Sequence, residues 1–250
     1  MSSPSNERRS VGDTGHLPGV PPLDVLAVAP HPDDAELGMA GTILKMRAEG
    51  RRVGVLDLTD GEPTPHGTPE IRAQETARAT EILGLDWRGN LALPNRSLEP
   101  TLDARAALAG VFRQCQARWI FAPYWADAHP DHLAATELVE AARFWAKLTK
   151  TDLPGEPYYP AQVFYYFAFH LRHLPEPSFV VDISEHWEAK ERAIRAFHSQ
   201  FIAGREGWEP SIPDRLREVA SMWGFLISAR YGEGFATREP LGLTSFGGVK

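Results

Sequence analysis

The sequence has little cysteine and no surplus of basic residues. Cys115 is the one cysteine among 250 residues, which excludes an internal disulfide and a zinc module built from several thiolates. A bound metal would therefore need histidine and carboxylate ligands. Lys and Arg number 26 against 33 Asp and Glu, a net charge of −7. Because phosphate contacts need clustered cations, this charge argues against nucleic acid and anionic membranes as partners.

Long hydrophobic runs are also missing. No stretch approaches the roughly 20 apolar residues of a membrane span, and the first residues lack the apolar region of a secretory signal. Residues 1–22 are rich in Ser, Gly, Pro and charge, which predicts a disordered N-terminal tail. The remaining residues, 23–250, have the length of one large domain. We therefore expect a cytoplasmic protein with one domain behind a short tail.

Short apolar runs alternate with helical patterns along the chain. Strands are predicted at residues 23–29, 52–59, around 91–93, 119–122, 163–169 and 179–183. Helices are predicted at residues 36–49, 69–83, 103–116, 133–148, 184–201 and 214–229. This alternation predicts an α/β fold, namely a Rossmann-like, mostly parallel sheet with helices on both faces in a single domain. Ligands of such sheets bind at the carboxyl ends of the strands, so the residues after each strand are the first candidates for function.

The turn after the first predicted strand reads Pro-His-Pro-Asp-Asp-Ala-Glu over residues 30–36. His31 and Asp34 can reach one cation from this turn, because the flanking prolines restrict the backbone between them. Asp33 lies between the two ligands, where it could act on a catalytic water. The alternative is that the two aspartates only cap the following helix. Capping explains one carboxylate, but it does not explain a histidine and two carboxylates within four residues.

A second turn of the same kind follows the fourth predicted strand and reads Asp-Ala-His-Pro-Asp-His over residues 127–132. By itself it is equally well explained as a polar loop with a helix cap. The two turns together are more specific, because both place His and Asp at the carboxyl edge of strands expected to be near neighbours. One histidine from each turn plus one aspartate gives three ligands and leaves a position for water, as in catalytic zinc sites. The lack of cysteine suits zinc or another borderline divalent ion.

Two segments carry a resemblance to a known family: AVAPHPDDAELGMAGTILK at residues 27–45 and APYWADAHPDH at residues 122–132. The chain resembles the N-acetylglucosaminyl-phosphatidylinositol de-N-acetylase family, also called LmbE-like, of zinc-dependent amide hydrolases. Shorter matches extend over nearly the whole chain after residue 22: DLTDGE, GTPEIRAQE, LPNR, VDIS and SQF. These shorter matches are most similar to the branch of bacterial deacetylases of bacillithiol biosynthesis.

The resemblance implies a set of three ligands for one zinc ion: His31, Asp34 and His132. It implies that Asp33 is the general base. It also implies that a protonated His129, paired with Asp131, lies beside the developing oxyanion. Some family members place a tyrosine there as well, and Tyr124 and Tyr231 are the residues that could replace it here.

Substrate contacts are expected from two arginines. Arg72, within GTPEIRAQE, matches the family's substrate-contacting arginine, and the alternative is a solvated helix face or an ion pair within the helix. Arg96, in a loop after the third predicted strand, could bind a substrate carboxylate bidentately or be simply exposed. Four later histidines lack ligand-like neighbours in sequence and are expected to be structural or at the surface: His170, His173, His186 and His198.

The resemblance implies a zinc-dependent hydrolase that removes the N-acetyl group from an N-acetylglucosamine conjugate, with N-acetylglucosaminyl-malate as the expected substrate. It implies an amino-sugar partner and a homo-oligomer such as a hexamer. Two alternatives stay open: a de-N-acetylase or amidase of another amino sugar, such as a chitin oligosaccharide, and a sugar-binding relative without turnover. Asp33 and His129 argue against the last, because binding alone does not need a base beside a water site.

Overall fold

Strands and helices alternate in the computed structural model, which describes residues 17–171, 173–245 and 247–248. The strands are β1 (Val25–Ala29), β2 (Val53–Asp57), β3 (Trp87–Asn90), β4 (Trp119–Pro123), β5 (Gln162–Tyr166), β6 (Phe179–Asp182) and β7 (Gly232–Ala236). The helices are α1 (Asp34–Ala48), α2 (Pro69–Leu83), α3 (Leu102–Cys115), α4 (Pro130–Ala146), α5 (Trp187–Ala196), α6 (His198–Phe201) and α7 (Ile212–Leu226). A 3₁₀ turn, Ser184–His186, precedes α5.

The strands form one sheet in the order β3-β2-β1-β4-β5-β7-β6. β1 pairs in parallel with β2 and β4, β2 pairs in parallel with β3, and β4 pairs in parallel with β5. β7 pairs antiparallel with both β5 and β6 and so runs against the other described strands. The predicted single α/β domain with a mostly parallel sheet is therefore confirmed. The same order makes β1 and β4 neighbours, as the two polar turns require.

The sheet has an apolar core on each face, because the side chains of β1 alternate between the two faces. Leu26 and Val28 pack with buried residues of α3 and α4. Val25, Ala27 and Ala29 pack on the opposite face with buried residues of α1. Burial on both faces explains why this central strand is a continuous apolar run instead of an alternating one.

The third strand lies earlier in the chain than the sequence predicts. It covers Trp87–Asn90 and pairs with β2, whereas Leu91 and Leu93 follow it and are buried in the core. This edge strand lacks the apolar run by which the other strands are predicted, because it contains arginine, glycine and asparagine. The charge of its Arg88 is compensated by two buried carboxylates that only the folded chain brings close.

Two elements in the second half also differ from the predictions. β7 is not recognisable in the sequence, because two of its five residues are glycines, which are unfavourable in strands. The glycine at position 232 is required by the packing of the sheet. A Cβ there would lie only 2.7 Å from Cγ1 of Val180 on the neighbouring strand, which is too close. The helix predicted at residues 184–201 is divided into the 3₁₀ turn, α5 and α6, because Phe197 leaves the helical conformation with φ −83° and ψ 61°.

Packing against the core begins before the predicted boundary at residue 23. Leu17 and Val20 pack against the core that includes Leu26, and Nε2 of Gln114 donates a hydrogen bond to the Leu17 carbonyl at 2.8 Å. Apolar contacts therefore hold residues that composition alone assigns to a disordered tail. Residues 1–16 of that predicted tail lie outside the described residues. Among the described helices, none has the length and apolar character needed to cross a membrane.

Candidate metal centre

The two polar turns meet at the carboxyl edge of the sheet. The first turn joins β1 to α1, and the second joins β4 to α4. Because β1 and β4 are adjacent and parallel, their carboxyl ends bring residues about a hundred positions apart into one site. The spatial expectation drawn from the two motifs is thus met by the strand order.

The three residues predicted as metal ligands lie together. His31, Asp34 and His132 each offer a ligand atom, and these atoms are all within 4.8 Å of one another. The carboxylate of Asp34 lies between the two rings: Oδ2 is 3.0 Å from Nδ1 of His31, and Oδ1 is 3.3 Å from Nε2 of His132. The side chains of His31 and Asp34 are only 12% and 4% exposed, so the group is shielded but reachable from one side.

His132 provides the clearest sign that this group fits a cation. Its Nδ1 is 3.0 Å from Oδ2 of Asp127. Its Nε2 is buried and has no hydrogen-bond partner among the described residues, since the approach to Asp34 lacks hydrogen-bond geometry. A buried, unpartnered ring nitrogen aimed at a carboxylate is the arrangement expected of a metal-ligating histidine.

The electrostatics of the group favour a positive charge between the carboxylates. Burial by itself would lower the pKa of His132, but Asp34 and Asp127 raise it to about 10. Burial would raise the pKa of Asp34, but the His132 and His31 rings hold it well below its usual range. A divalent cation would replace the proton of His132, because histidine binds metal as a neutral ring.

Each histidine of this group has a carboxylate partner supplied by the second turn. Asp127 holds His132, and Oδ2 of Asp131 is 3.1 Å from Nε2 of His31. Asp131 also accepts hydrogen bonds from the backbone N–H groups of Arg96 and Leu98, at 2.8 and 3.2 Å. Such partners fix the orientation of ligand rings. The sequence alone assigns no role to Asp127. Its contact with His132 is seen only in the folded turn.

This geometry changes the role expected for Asp131 and the state expected for His129. The family resemblance implies that Asp131 pairs with a protonated His129, whereas in the structure the Asp131 carboxylate contacts His31. The backbone N–H of Asp131 donates to Nδ1 of His129 at 3.2 Å. Nδ1 is therefore an acceptor, which assigns the proton of a neutral ring to Nε2. Burial and the nearby rings of His132 and His31 lower the pKa of His129, in agreement with this neutral form.

Asp33 occupies a strained position beside the metal group. Its φ of 129° and ψ of −25° lie outside the regions that residues other than glycine usually adopt, and such strain is concentrated at functional sites. Oδ2 of Asp33 accepts a hydrogen bond from Nη1 of Arg72 at 2.7 Å. Burial raises the pKa of Asp33 to about 7, against the opposing effect of the Arg72 guanidinium.

Arg72 is buried, with 4% of its surface exposed. The same Nη1 that contacts Asp33 also donates to the Pro32 carbonyl at 2.9 Å, and Nε lies 3.4 Å from Oε1 of Glu62. The sequence predicts Arg72 as a substrate contact. The structure shows its hydrogen bonds directed to the strained turn, so Arg72 holds Asp33 in place from the wall of the cleft.

A cleft of about 280 Å³ opens above the metal group. His31, Asp33, Asp34 and His129 line its floor, and polar side chains, including Arg96 and Arg205, line its wall. Arg96, which lines the cleft, is exposed and has a positive φ of 64°. The wall also includes apolar side chains: Leu37, Phe169, Phe201 and Ile212.

His170 is a cleft residue that the sequence does not identify. Its ring centroid lies 5.4 Å from that of His129 and 5.7 Å from that of His132. His170 is exposed, as predicted, but the surface on which it lies is the wall of the cleft. No spacing rule could reveal it, because the loop after β5 joins the site only through the strand order.

The two tyrosines considered as oxyanion partners lie elsewhere. Tyr124 packs on Trp125 and Phe167, and Tyr231 stacks on Trp187 with 8% of its surface exposed. Neither contributes to the lining of the cleft. The imidazoles of His129 and His170 do line the cleft and are candidates to contact an oxyanion there.

The fold and the site together define a Rossmann-like α/β protein with a His₂-carboxylate group for a metal at the carboxyl edge of its sheet. Residues 26–143 match the family model PIG-L, GlcNAc-PI de-N-acetylase. The chain belongs to this family, which confirms the resemblance seen in its two motifs.

Individual relatives extend the similarity over most of the chain. The conserved protein TT1542 from Thermus thermophilus is 41% identical, with a TM-score of 0.81 over 89% of this chain and 97% of that chain. The diacetylchitobiose deacetylase of Thermococcus kodakarensis is 33% identical over 84% of this chain and 81% of that protein. A Bacillus anthracis protein, described as a probable N-acetyl-alpha-D-glucosaminyl L-malate deacetylase, is 31% identical over 71% of this chain and 81% of its own length.

Proposed function

We propose that this protein is a zinc-dependent de-N-acetylase of an N-acetylglucosamine conjugate. The observation that carries the proposal is the position of Asp33, which is held by Arg72 in a strained turn directly beside the His31–Asp34–His132 group. A base next to a cation site in an open cleft is an arrangement for hydrolysis. Two of the relatives named above support this substrate class: one is described as a diacetylchitobiose deacetylase and the other as a probable N-acetyl-alpha-D-glucosaminyl L-malate deacetylase.

Three side chains would hold the metal: His31, Asp34 and His132. Their donor set of two imidazoles and one carboxylate suits zinc and leaves room for other ligands. When bound, zinc acidifies a water molecule and polarises a carbonyl oxygen. The chain's own contribution is to keep the two rings oriented through hydrogen bonds with Asp127 and Asp131.

Asp33 would move the proton. Its carboxylate accepts a proton from the attacking water as the new C–O bond forms at the acetyl carbon. It then delivers that proton to the leaving nitrogen as the C–N bond breaks. The products are acetic acid, which ionises, and a free amine. One residue can serve in both directions because its pKa lies near neutrality.

His129 would contact the acetyl oxygen as it gains negative charge. Its Nδ1 is occupied by the Asp131 N–H, so its Nε2–H is the group available to donate into the cleft. A neutral donor of this kind stabilises an oxyanion through a hydrogen bond without a full positive charge. This assignment replaces the protonated imidazole expected from the sequence.

The N-acetylglucosaminyl-malate conjugate remains the substrate that we propose, because Arg96 and Arg205 give the cleft wall a positive charge. Guanidinium groups bind carboxylates well, and malate supplies them. The second candidate is a chitin disaccharide, which is favoured by the 33% identity to a diacetylchitobiose deacetylase. The two candidates differ in charge, so they can be separated directly.

The proposal is tested by measuring acetate release from both compounds with protein of known zinc content. We expect acetate release that is lost on chelation and restored by zinc. Acetate from diacetylchitobiose but not from the malate conjugate would select the second candidate. Saturable sugar binding without acetate from either compound would contradict the enzymatic function.

Replacing Arg96 with glutamine is expected to raise the KM for the malate conjugate about 10-fold, the lower end of the effect of losing a hydrogen bond to a charged group. The lower end applies because Arg96 is exposed. The kcat for the conjugate and the kinetics with a neutral N-acetylglucosamine substrate should stay unchanged. Arg78→Gln, on the exposed face of α2, is the matched control. An equal rise in KM for the neutral substrate would show that Arg96 does not recognise the carboxylates.

A further inference from the structure

Helix α1, which begins with the ligand Asp34, is broken after its first turn. Met39 has φ −149° and ψ 17°, outside the helical region, and divides the helix into two segments. A continuous helix would join the Gly41 N–H to the Leu37 carbonyl. The break separates these two groups, and both are buried, so each needs another partner.

Two charged side chains from distant elements supply those partners. Nζ of Lys190, on α5, donates to the Leu37 carbonyl at 2.8 Å. Oε1 of Glu233, on β7, accepts from the Gly41 N–H at 2.9 Å. Oε2 of Glu233 accepts from the backbone N–H and the hydroxyl of Thr42, at 2.7 and 2.6 Å. One helical hydrogen bond is thus replaced by a bridge through two side chains.

The bridge is itself closed by an ion pair. Nζ of Lys190 lies 2.6 Å from Oε1 of Glu233, and both residues are 3% exposed. Burying two charges is costly unless each is paired and hydrogen-bonded. Here both charges are also hydrogen-bonded to backbone groups on the two sides of the break in α1. An ion pair that only links two surface elements makes no such backbone contacts.

The short segment before the break carries the chemistry of the site. Residues 34–38 include Asp34, which belongs to the metal group, and Leu37, which lines the cleft. A single helical turn has no stability of its own, so its orientation depends on what holds its end. Tyr166 lies close beneath it, since a Cβ on Gly38 would fall 2.4 Å from Cδ2 of that ring.

We propose that the Lys190–Glu233 pair is a positioning device that sets the angle of the first turn of α1 and thereby places Asp33 and Asp34. Neither residue lines the metal group or contacts the ligands. Their effect on metal affinity is independent of the reaction catalysed, whereas their effect on turnover rests on the proposed function.

The test compares Glu233→Gln with the wild-type chain by zinc titration of the metal-free protein and by kinetics of acetate release. We expect zinc affinity to fall at least about 10-fold, the range seen when the supports of metal ligands are lost. We expect kcat to fall more than KM rises, because Leu37 is the one apolar side chain of the cleft wall that lies on this segment. Leu108→Ala, in the core on the opposite face of the sheet, is the matched control for lost stability.

A second variant covers the case in which Glu233→Gln does not fold, because that substitution leaves Lys190 buried without its carboxylate. Lys190→Met combined with Glu233→Gln leaves no unpaired buried charge and should fold, yet it too should bind zinc more weakly than Leu108→Ala at equal Tm. If a folded Glu233 variant has a lowered Tm but binds zinc with wild-type affinity, the proposal is overturned. The pair would then be a purely structural contact. Absence of acetate release by the wild-type chain would refute the proposed function instead, and the zinc titration would still decide the role of the pair.

Discussion

Replacing His132 with alanine is expected to abolish zinc binding and acetate release together. The ring supplies the buried Nε2 that faces Asp34, and its loss leaves two ligands in place of three. The substitution also removes the charge that separates Asp34 from Asp127, so the two carboxylates lose their shared partner. We expect a loss of affinity larger than the roughly 10–100-fold that follows removal of an outer partner of a ligand.

The measurement is metal content after dialysis against a fixed zinc concentration, read beside turnover and the thermal transition. His198→Ala is the matched control, because His198 is exposed and lies on α6, outside the metal group. A folded His132→Ala protein that keeps one zinc per chain and full turnover would mean that the cation is bound elsewhere.

The metal group could be predicted from sequence because its information is local. Each turn follows a strand directly, and parallel strands place such turns at one edge of a sheet. The two turns, residues 30–36 and 127–132, therefore meet if β1 and β4 are neighbours. The apolar sequences of both strands favour central positions in the sheet, and the two strands do pair. The residue types in those turns indicated one histidine from each turn and one aspartate, and the family resemblance implied which ones: His31, Asp34 and His132.

The partners of the ligands could not be predicted in the same way. The carboxylate of Asp131 contacts His31 across 100 positions, and only the backbone N–H of Asp131 contacts the histidine two residues before it. The tautomer of His129 depends on one backbone N–H, and the place of His170 depends on the path of the loop after β5. These facts are set by side-chain directions within a folded turn, which spacing does not encode.

Buried charged residues in two strands also escaped prediction from the sequence. β3 and β7 were hard to recognise because they contain charged residues and glycines instead of an apolar pattern. In each strand a charged side chain, Arg88 or Glu233, is buried by pairing with residues from other elements. Pattern reading assumes that a buried strand is apolar, and it fails where an ion pair satisfies the charge.

Replacing Asp33 with asparagine is expected to lower kcat by about 10²–10⁴, the usual contribution of a positioned acid or base. Asparagine keeps the shape of the side chain, tolerates a positive φ, and can still accept the hydrogen bond from Arg72 through its amide oxygen. It cannot take a proton from water or return one to the leaving nitrogen. The fold, the turn and the metal group should therefore survive while turnover is lost.

The measurement is single-turnover acetate release by protein whose zinc content has been determined. Asp103→Asn, an exposed aspartate in the first turn of α3, is the matched control for removal of one carboxylate. The two variants separate proton transfer from metal binding. The Asp33 variant should keep zinc and lose turnover, whereas the His132 variant should lose both. A zinc-loaded Asp33→Asn protein with wild-type kcat would exclude Asp33 as the base and would leave His170 as the nearest unassigned imidazole in the cleft.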